Sequence, residues 1–211
     1  MKILDLTHSI TSDMPVYPGT EQPVITTECS IDEVGFLEKK LSFFSHTGTH
    51  IDSPAHLIKG HSTLDMFPID HFYGPGLLLN FDNFTGSIGL EKLEPYQDQI
   101  AKVDFLLLYT GWSKYWGSEK YFTGYPVLSL EAAEWLSDFN LKGFGIDTLS
   151  ADTAETEDHP VHKLLLQKNL IIIENLVNIE ELHGRQFNFS CFPLSFKDAD
   201  GSPVRAVAYI L

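Results

Sequence analysis

Between His46 and His56 the chain reads His-Thr-Gly-Thr-His-Ile-Asp-Ser-Pro-Ala-His, three imidazoles and a carboxylate packed into one short string. A helix would place His46 and His50 on one face, as helical zinc sites do. Gly48, two threonines and Pro54 are all poor helix formers, however, so the string predicts an extended or bulged segment. Gly48 lets the backbone turn there, and the turn brings the imidazoles and the Asp52 carboxylate together. Grouping such side chains out of water carries a heavy desolvation cost unless something common satisfies them, and a bound cation does that. Neutral imidazole with carboxylate suits zinc, manganese or iron, and so hard a donor set keeps an open position for water. The chain has nine histidines in all, and four of them, His46, His50, His56 and His61, fall in this one stretch.

A second group of polar residues lies far downstream. It runs Asp147-Thr148-Leu149-Ser150-Ala151-Asp152, then His159-Pro160-Val161-His162, then Glu174-Asn175. Glu174 follows the apolar run Leu170 to Ile173, which places it at the end of a buried strand, a position where functional carboxylates are often found. It reads either as a ligand or as a solvated strand end.

The elements between these groups alternate in kind. Ile3–Thr7, Leu77–Phe81, Phe105–Thr110, Gly143–Asp147, Leu170–Ile173 and Val204–Leu211 are short, apolar and partly β-branched or aromatic, as strands of a central sheet would be. Leu37–Phe44 alternates apolar and polar residues and predicts a half-exposed strand. Ser129–Phe139 predicts a helix with Ser129 as N-cap, Val161–Lys168 another, and Leu90–Ala101 a third that Pro95 weakens. Strands mixed with helices indicate an α/β or α+β domain. The aromatic residues Trp112, Tyr115, Trp116, Tyr121, Phe122 and Tyr125 crowd into one predicted loop, residues 111–125. They form either a lid or substrate wall or a satellite core or subunit interface.

A length of 211 residues suits one well-buried domain, residues 1–211. A net charge of −15 repels phosphate backbones and anionic lipid heads, so nucleic acid and membranes are excluded as expected partners. No apolar stretch approaches the ~20 residues of a membrane span, and the N-terminus lacks the pattern of a secretory signal, so a cytoplasmic protein is expected. Cys29 and Cys191 stand far apart and are expected to be reduced.

Read as His-x-Gly-Thr-His-x-Asp-x-Pro-x-His, the string from His46 to His56 resembles the hallmark of the cyclase-like metal-dependent hydrolases, the family that includes bacterial kynurenine formamidase and isatin hydrolase. Asp5-Leu6-Thr7, Pro15-Val16-Tyr17-Pro18-Gly19, Gly145-Ile146-Asp147 and the pair His162 and Glu174 appear in that family's order, so the resemblance covers nearly the whole chain. It implies a swivelling β/β/α fold around a mixed, partly barrel-like sheet. It also implies that His46, His50, Asp52 and Glu174 hold one divalent metal, zinc or manganese, while a second would share Asp52 and Glu174 and take His162. His56 matches the family's proton-transferring histidine. Where kynurenine formamidases typically carry tryptophan, this chain has Tyr17 against the substrate. The implied activity is hydrolysis of a C–N bond in a small amide, formamide or cyclic amide by metal-activated water. A non-hydrolytic cyclase or dehydratase, or a silent metal- or ligand-binding protein, would use the same residues. A homo-oligomer, dimer or tetramer, is expected from the family and from the aromatic segment.

Overall fold

The structure, a computed structural model, describes residues 2–211. In chain order the elements are β1 (Lys2–Asp5), β2 (Val24–Cys29), α1 (Ile31–Val34), β3 (Glu38–Ser42), β4 (His50–Asp52), β5 (Tyr73–Asn80), β6 (Ser87–Ile88), α2 (Leu90–Leu93), α3 (Gln97–Ile100), β7 (Phe105–Tyr109), β8 (Val127–Leu128), α4 (Leu130–Ser137), β9 (Gly143–Ile146), α5 (Pro160–Leu166), β10 (Ile171–Glu174), β11 (Phe187–Ser190), β12 (Gly201–Pro203) and β13 (Val207–Ile210). Nine of the strands form one mixed, curled half-barrel sheet in the order β1-β13-β11-β5-β7-β9-β10-β4-β12. Its centre, β5-β7-β9-β10, is parallel, and both flanks are antiparallel.

The parallel strands are rich in apolar residues because both faces of the sheet are covered along them. Phe105, Leu107, Ile171 and Ile173 enter one core with Phe187 and Phe189. Leu106, Leu108 and Ile172 enter the other, beneath Ala132, Ala133 and Leu136 of α4 and Val161, Leu165 and Leu166 of α5. Ser129 caps α4 as expected, its hydroxyl accepting from the Ala132 amide at 3.1 Å. The segment 90–101 is not one helix. It breaks into α2, a 3-10 turn over Glu94–Tyr96 and α3, because Pro95 lacks an amide hydrogen and crowds the preceding turn.

One further expectation changes, and one open alternative is resolved. Strand β3 is exposed along its whole length, since its partner β2 forms with it a separate two-stranded ribbon outside the main sheet. The aromatic segment 111–125 is a satellite core: Trp112, Tyr121 and Tyr125 are buried together with Val127 and Leu149, and Tyr17 packs against them. Asp147, at the end of β9, ties this segment to the sheet by accepting from the Thr110 amide at 2.9 Å, the Thr110 hydroxyl at 2.6 Å and the Trp112 amide at 3.0 Å.

His8 anchors the N-terminal segment by stacking on Trp116, with ring centroids 3.8 Å apart and planes 5° from parallel. Its Nε2 is buried without a partner, and burial lowers the pKa to about 4. The unfolded chain therefore takes up this proton first, near the ordinary value of about 6.5, so the stabilisation from His8 is complete above that pH and declines as pH falls toward 4. His8→Phe keeps the stacking and removes the titration. Urea midpoints measured from pH 7 to 4 should fall less steeply in this variant, and parallel profiles would show that His8 is not a source of the acid sensitivity.

Candidate metal centre

Strand β4 lies between β10 and β12 and is antiparallel to both, with Glu174 opposite His50, Ile173 opposite Ile51 and Ile172 opposite Asp52. Opposed residues of an antiparallel pair share a face. His50, Asp52 and Glu174 therefore project to one side, while Ile51 and Ile173 point into the core beneath. Before β4 the chain turns at Gly48, whose φ of +64° suits a residue without a Cβ, and the turn returns His46 over Asp52. His162 arrives from α5, so residues far apart in sequence converge at the carboxyl ends of β9 and β10.

The three imidazoles share one pattern. His50 Nδ1 lies 2.8 Å from the Gly48 carbonyl oxygen, His162 Nδ1 2.7 Å from Asp152 Oδ2, and His46 Nε2 3.1 Å from Asp200 Oδ2. With these outer nitrogens held by oxygen acceptors, the inner nitrogens face the two buried carboxylates. His50 Nε2 is 3.3 Å from Asp52 Oδ1 and 3.5 Å from Glu174 Oε2, and His162 Nε2 is 3.1 Å from Glu174 Oε1 and 3.5 Å from Asp52 Oδ2. His46 Nδ1 is 2.6 Å from Asp52 Oδ1. Four groups of donor atoms are each gathered within 4.8 Å: His46 with His56 and Asp200, Asp152 with His159 and His162, and the two at the floor of the site, His46 with His50 and Asp52, and Asp52 with His162 and Glu174. Asp52 belongs to both floor groups, so the donor set fits one or two divalent cations. An imidazole whose outer N–H is anchored to oxygen is the common arrangement of a metal-binding histidine.

The electrostatics agree with this fit. Burial disfavours a charge on His46, but Asp52 and Asp200 outweigh it and hold its pKa up at about 10. His162 is likewise raised, its desolvation overcome by hydrogen bonds to Asp152, Asp52 and Glu174. Asp52 stays ionised against its own burial because His46, His162 and His50 surround it. The carboxylates thus demand positive charge at this spot, which a divalent cation supplies while releasing the imidazole protons.

His56 stands outside the two floor groups, exposed at the pocket, its ring 3.9 Å from that of His46 and 6.5 Å from that of His162. Tyr17 forms part of the wall of the same pocket, a cavity of about 470 Å³. All seven residues named from the sequence, His46, His50, Asp52, His56, His162, Glu174 and Tyr17, line this one space.

Four supporting residues escaped the sequence reading. Asp152 was visible in the second polar group but had no role there. Besides His162 Nδ1 it accepts the Val161 and His162 amides at 3.0 Å each, so it fixes both α5 and the ring. Asn175 donates to the Gly48 carbonyl at 2.9 Å and accepts from the Tyr121 hydroxyl at 2.6 Å, joining the bend to the aromatic core. Asp200 holds His46, and Gly201, opposite Asp52 on β12, leaves the room His46 needs, for a Cβ there would overlap its ring. The dipeptide Asp200-Gly201 reads locally as an ordinary turn signal. Asp152→Ala should weaken zinc binding ~10–100-fold in a competition titration. Unchanged affinity would mean that the helix alone orients His162.

The Cyclase family model matches residues 4–153. The kynurenine formamidase of Bacillus cereus is 30% identical over 206 residues, covering 97% of this chain and 95% of that protein. Isatin hydrolase A from Labrenzia aggregata, solved with benzyl benzoate, superposes with a TM-score of 0.87 at 24% identity, covering 98% of this chain and 93% of that one. A structure described as a potential metal-dependent hydrolase with cyclase activity gives a TM-score of 0.82 at 28% identity, covering 98% and 96%. With the mixed nine-stranded sheet, this similarity along nearly its whole length shows that the chain belongs to the Cyclase family.

Proposed function

We propose that the protein is a metal-dependent hydrolase that cleaves the C–N bond of a small amide, formamide or cyclic amide. The observation that carries this reading is the set of three imidazoles whose inner nitrogens face two buried carboxylates beside a further, unanchored imidazole in an open pocket. The kynurenine formamidase and isatin hydrolase among its relatives support the same reaction class. Zinc or manganese would be held by His46, His50, Asp52 and Glu174, with His162 serving a second ion. When bound, such a cation supplies Lewis acidity, polarising a carbonyl and lowering the pKa of water toward about 7.

The remaining steps belong to the chain itself. Tyr17, Phe44, Leu57 and Leu149 offer an apolar wall against which a substrate ring can lie. His56 can accept a proton from water on a ring nitrogen and return it to the departing amide nitrogen, a task suited to an imidazole near neutral pH. Asp52 stays ionised among its imidazoles and so holds positive charge in place.

Protein purified without chelator should contain one to two metal equivalents per chain, and chelation should abolish amide hydrolysis until zinc or manganese is restored. Full activity without metal would overturn the proposal. His50→Ala should lose both metal and turnover. In His56→Asn the metal should remain while turnover falls ~10²–10⁴-fold, as for loss of a general acid/base; loss of metal in step with activity would make His56 an orienting residue.

We also propose that the protein works in the cytoplasm as a homo-oligomer, a dimer or tetramer. Among the described residues, no helix is long and apolar enough to cross a membrane. The aromatic segment gives this assembly less support, since Trp112, Tyr121 and Tyr125 are buried within the chain and Tyr115, Trp116 and Phe122 are half-buried. The β2–β3 ribbon gives more, because Ile31, Val34, Phe36 and Leu37 at its tip are all more than half exposed. A monomer mass by light scattering would refute the oligomer.

A further inference from the structure

Two of the four groups of donor atoms lie outside the floor of the site, His46 with His56 and Asp200, and Asp152 with His159 and His162. They differ in what remains free. Asp152 is buried and gives both oxygens to hydrogen bonds, Oδ1 to the Val161 amide and Oδ2 to the amide and Nδ1 of His162. Asp200 uses one oxygen only, since Oδ2 lies 3.1 Å from His46 Nε2 and accepts from the Ser45 hydroxyl at 3.2 Å. Among the described residues no other residue donates to its Oδ1, and the side chain is 47% exposed. His46 is engaged on both sides, by Asp52 at Nδ1 and by Asp200 at Nε2. His56 is exposed beside it, and among the described residues nothing hydrogen-bonds to the His56 ring. The backbone holds the two free donors together: the Ser53 amide donates to the Asp200 carbonyl at 2.9 Å, and Ser53 opens the 3-10 turn Pro54–His56, with the His56 amide donating to the Ser53 carbonyl at 3.0 Å. Among the described residues no lysine or arginine lines the pocket, and a net charge of −15 draws cations toward the chain.

We propose that His56 and Asp200 form a further metal site at the rim of the pocket, a weak one that takes up zinc when free zinc is in excess, and that its occupation stops turnover. Zinc sits about 2.1 Å from imidazole nitrogen and carboxylate oxygen alike. Donor atoms within 4.8 Å on two exposed side chains therefore need only small rotations to share one ion, with water completing its shell. Two protein donors hold it less tightly than the larger set at the floor. The binding is independent of the hydrolase reading, whereas the loss of turnover rests on it, through the proton-carrying role of His56. A neutral imidazole has one nitrogen lone pair, and a lone pair given to zinc cannot take the proton from water.

The test follows zinc uptake and turnover on one preparation, loaded with zinc and then desalted. Calorimetric titration with zinc should show one further equivalent, and magnesium, which prefers sites made of oxygen alone, should not replace it. Formate release from formanilide should fall at least about tenfold as this equivalent binds, with the same midpoint. His56→Asn should lose the further equivalent, and its residual turnover should not respond to excess zinc. Asp200→Asn, whose side-chain carbonyl can still accept from His46, should raise both midpoints at least about tenfold. Turnover is taken relative to that without added zinc in each preparation, so any loosening of His46 cancels. Absence of a further equivalent in the unaltered protein, or uptake that both variants leave unchanged, overturns the site. Uptake that depends on His56 but leaves turnover unchanged overturns the inhibition and, with it, the role of His56 as proton carrier. If neither formanilide nor neutral lactams are hydrolysed at all, the hydrolase reading falls, while the calorimetric titration still decides the site.

Discussion

Asp52 is 1% exposed, and both of its oxygens face imidazoles. A carboxylate so deeply buried is costly unless charge and hydrogen bonds surround it, and much of the nearby chain is arranged to that end. Strand β4 lies between two antiparallel neighbours, so the register alone decides that His50 and Glu174 join Asp52 on one face. A slip of β4 by one residue would turn His50 and Asp52 into the core and bring Ile51 out into the pocket. The apolar packing of Ile51 and Ile173 beneath the site is therefore also what holds the donor atoms at their level.

The outer ring of acceptors completes the arrangement. Gly48, Asp152 and Asp200 come from a bend, from the loop after β9 and from the start of an edge strand, and each fixes one imidazole by its outer nitrogen. Two of these links also have structural work: Asp152 holds the first turn of α5, and the bend at Gly48 is bound through Asn175 to Tyr121 in the aromatic core. Stability and site geometry are coupled here through shared hydrogen bonds, so damage to the aromatic segment should be felt at the imidazoles.

The aromatic segment also explains why Tyr17 can act as a wall. It lies in a loop, yet it packs against a satellite core that Asp147 ties to the end of β9. Loops that carry function need such support from a rigid frame. The β2–β3 ribbon lacks it: its two strands pair only with each other, and its apolar tip faces outward. An isolated hairpin has little stability of its own in water, which sets this ribbon apart from the rest of the chain.

The amino-acid sequence by itself determined the local conformations and the chemistry of the donors. Gly48 and Pro54 forbade a helix through the histidine string, the apolar runs at Phe105–Thr110 and Leu170–Ile173 read as strands of a central sheet, and imidazole with carboxylate called for a hard or borderline cation. Pro95 signalled the weak point at which the segment 90–101 breaks. Only the tertiary structure decided which acceptors anchor His162 and His46, because Asp152 and Asp200 lie 10 and 154 residues from those rings. It also decided which strand faces were covered: β3 alternates as a half-buried strand does, yet its sole partner is β2, and no periodicity within one strand reports what lies against it. Gly201 shows the same limit in a single residue, for the need to lack a side chain there comes from the His46 ring on another part of the chain.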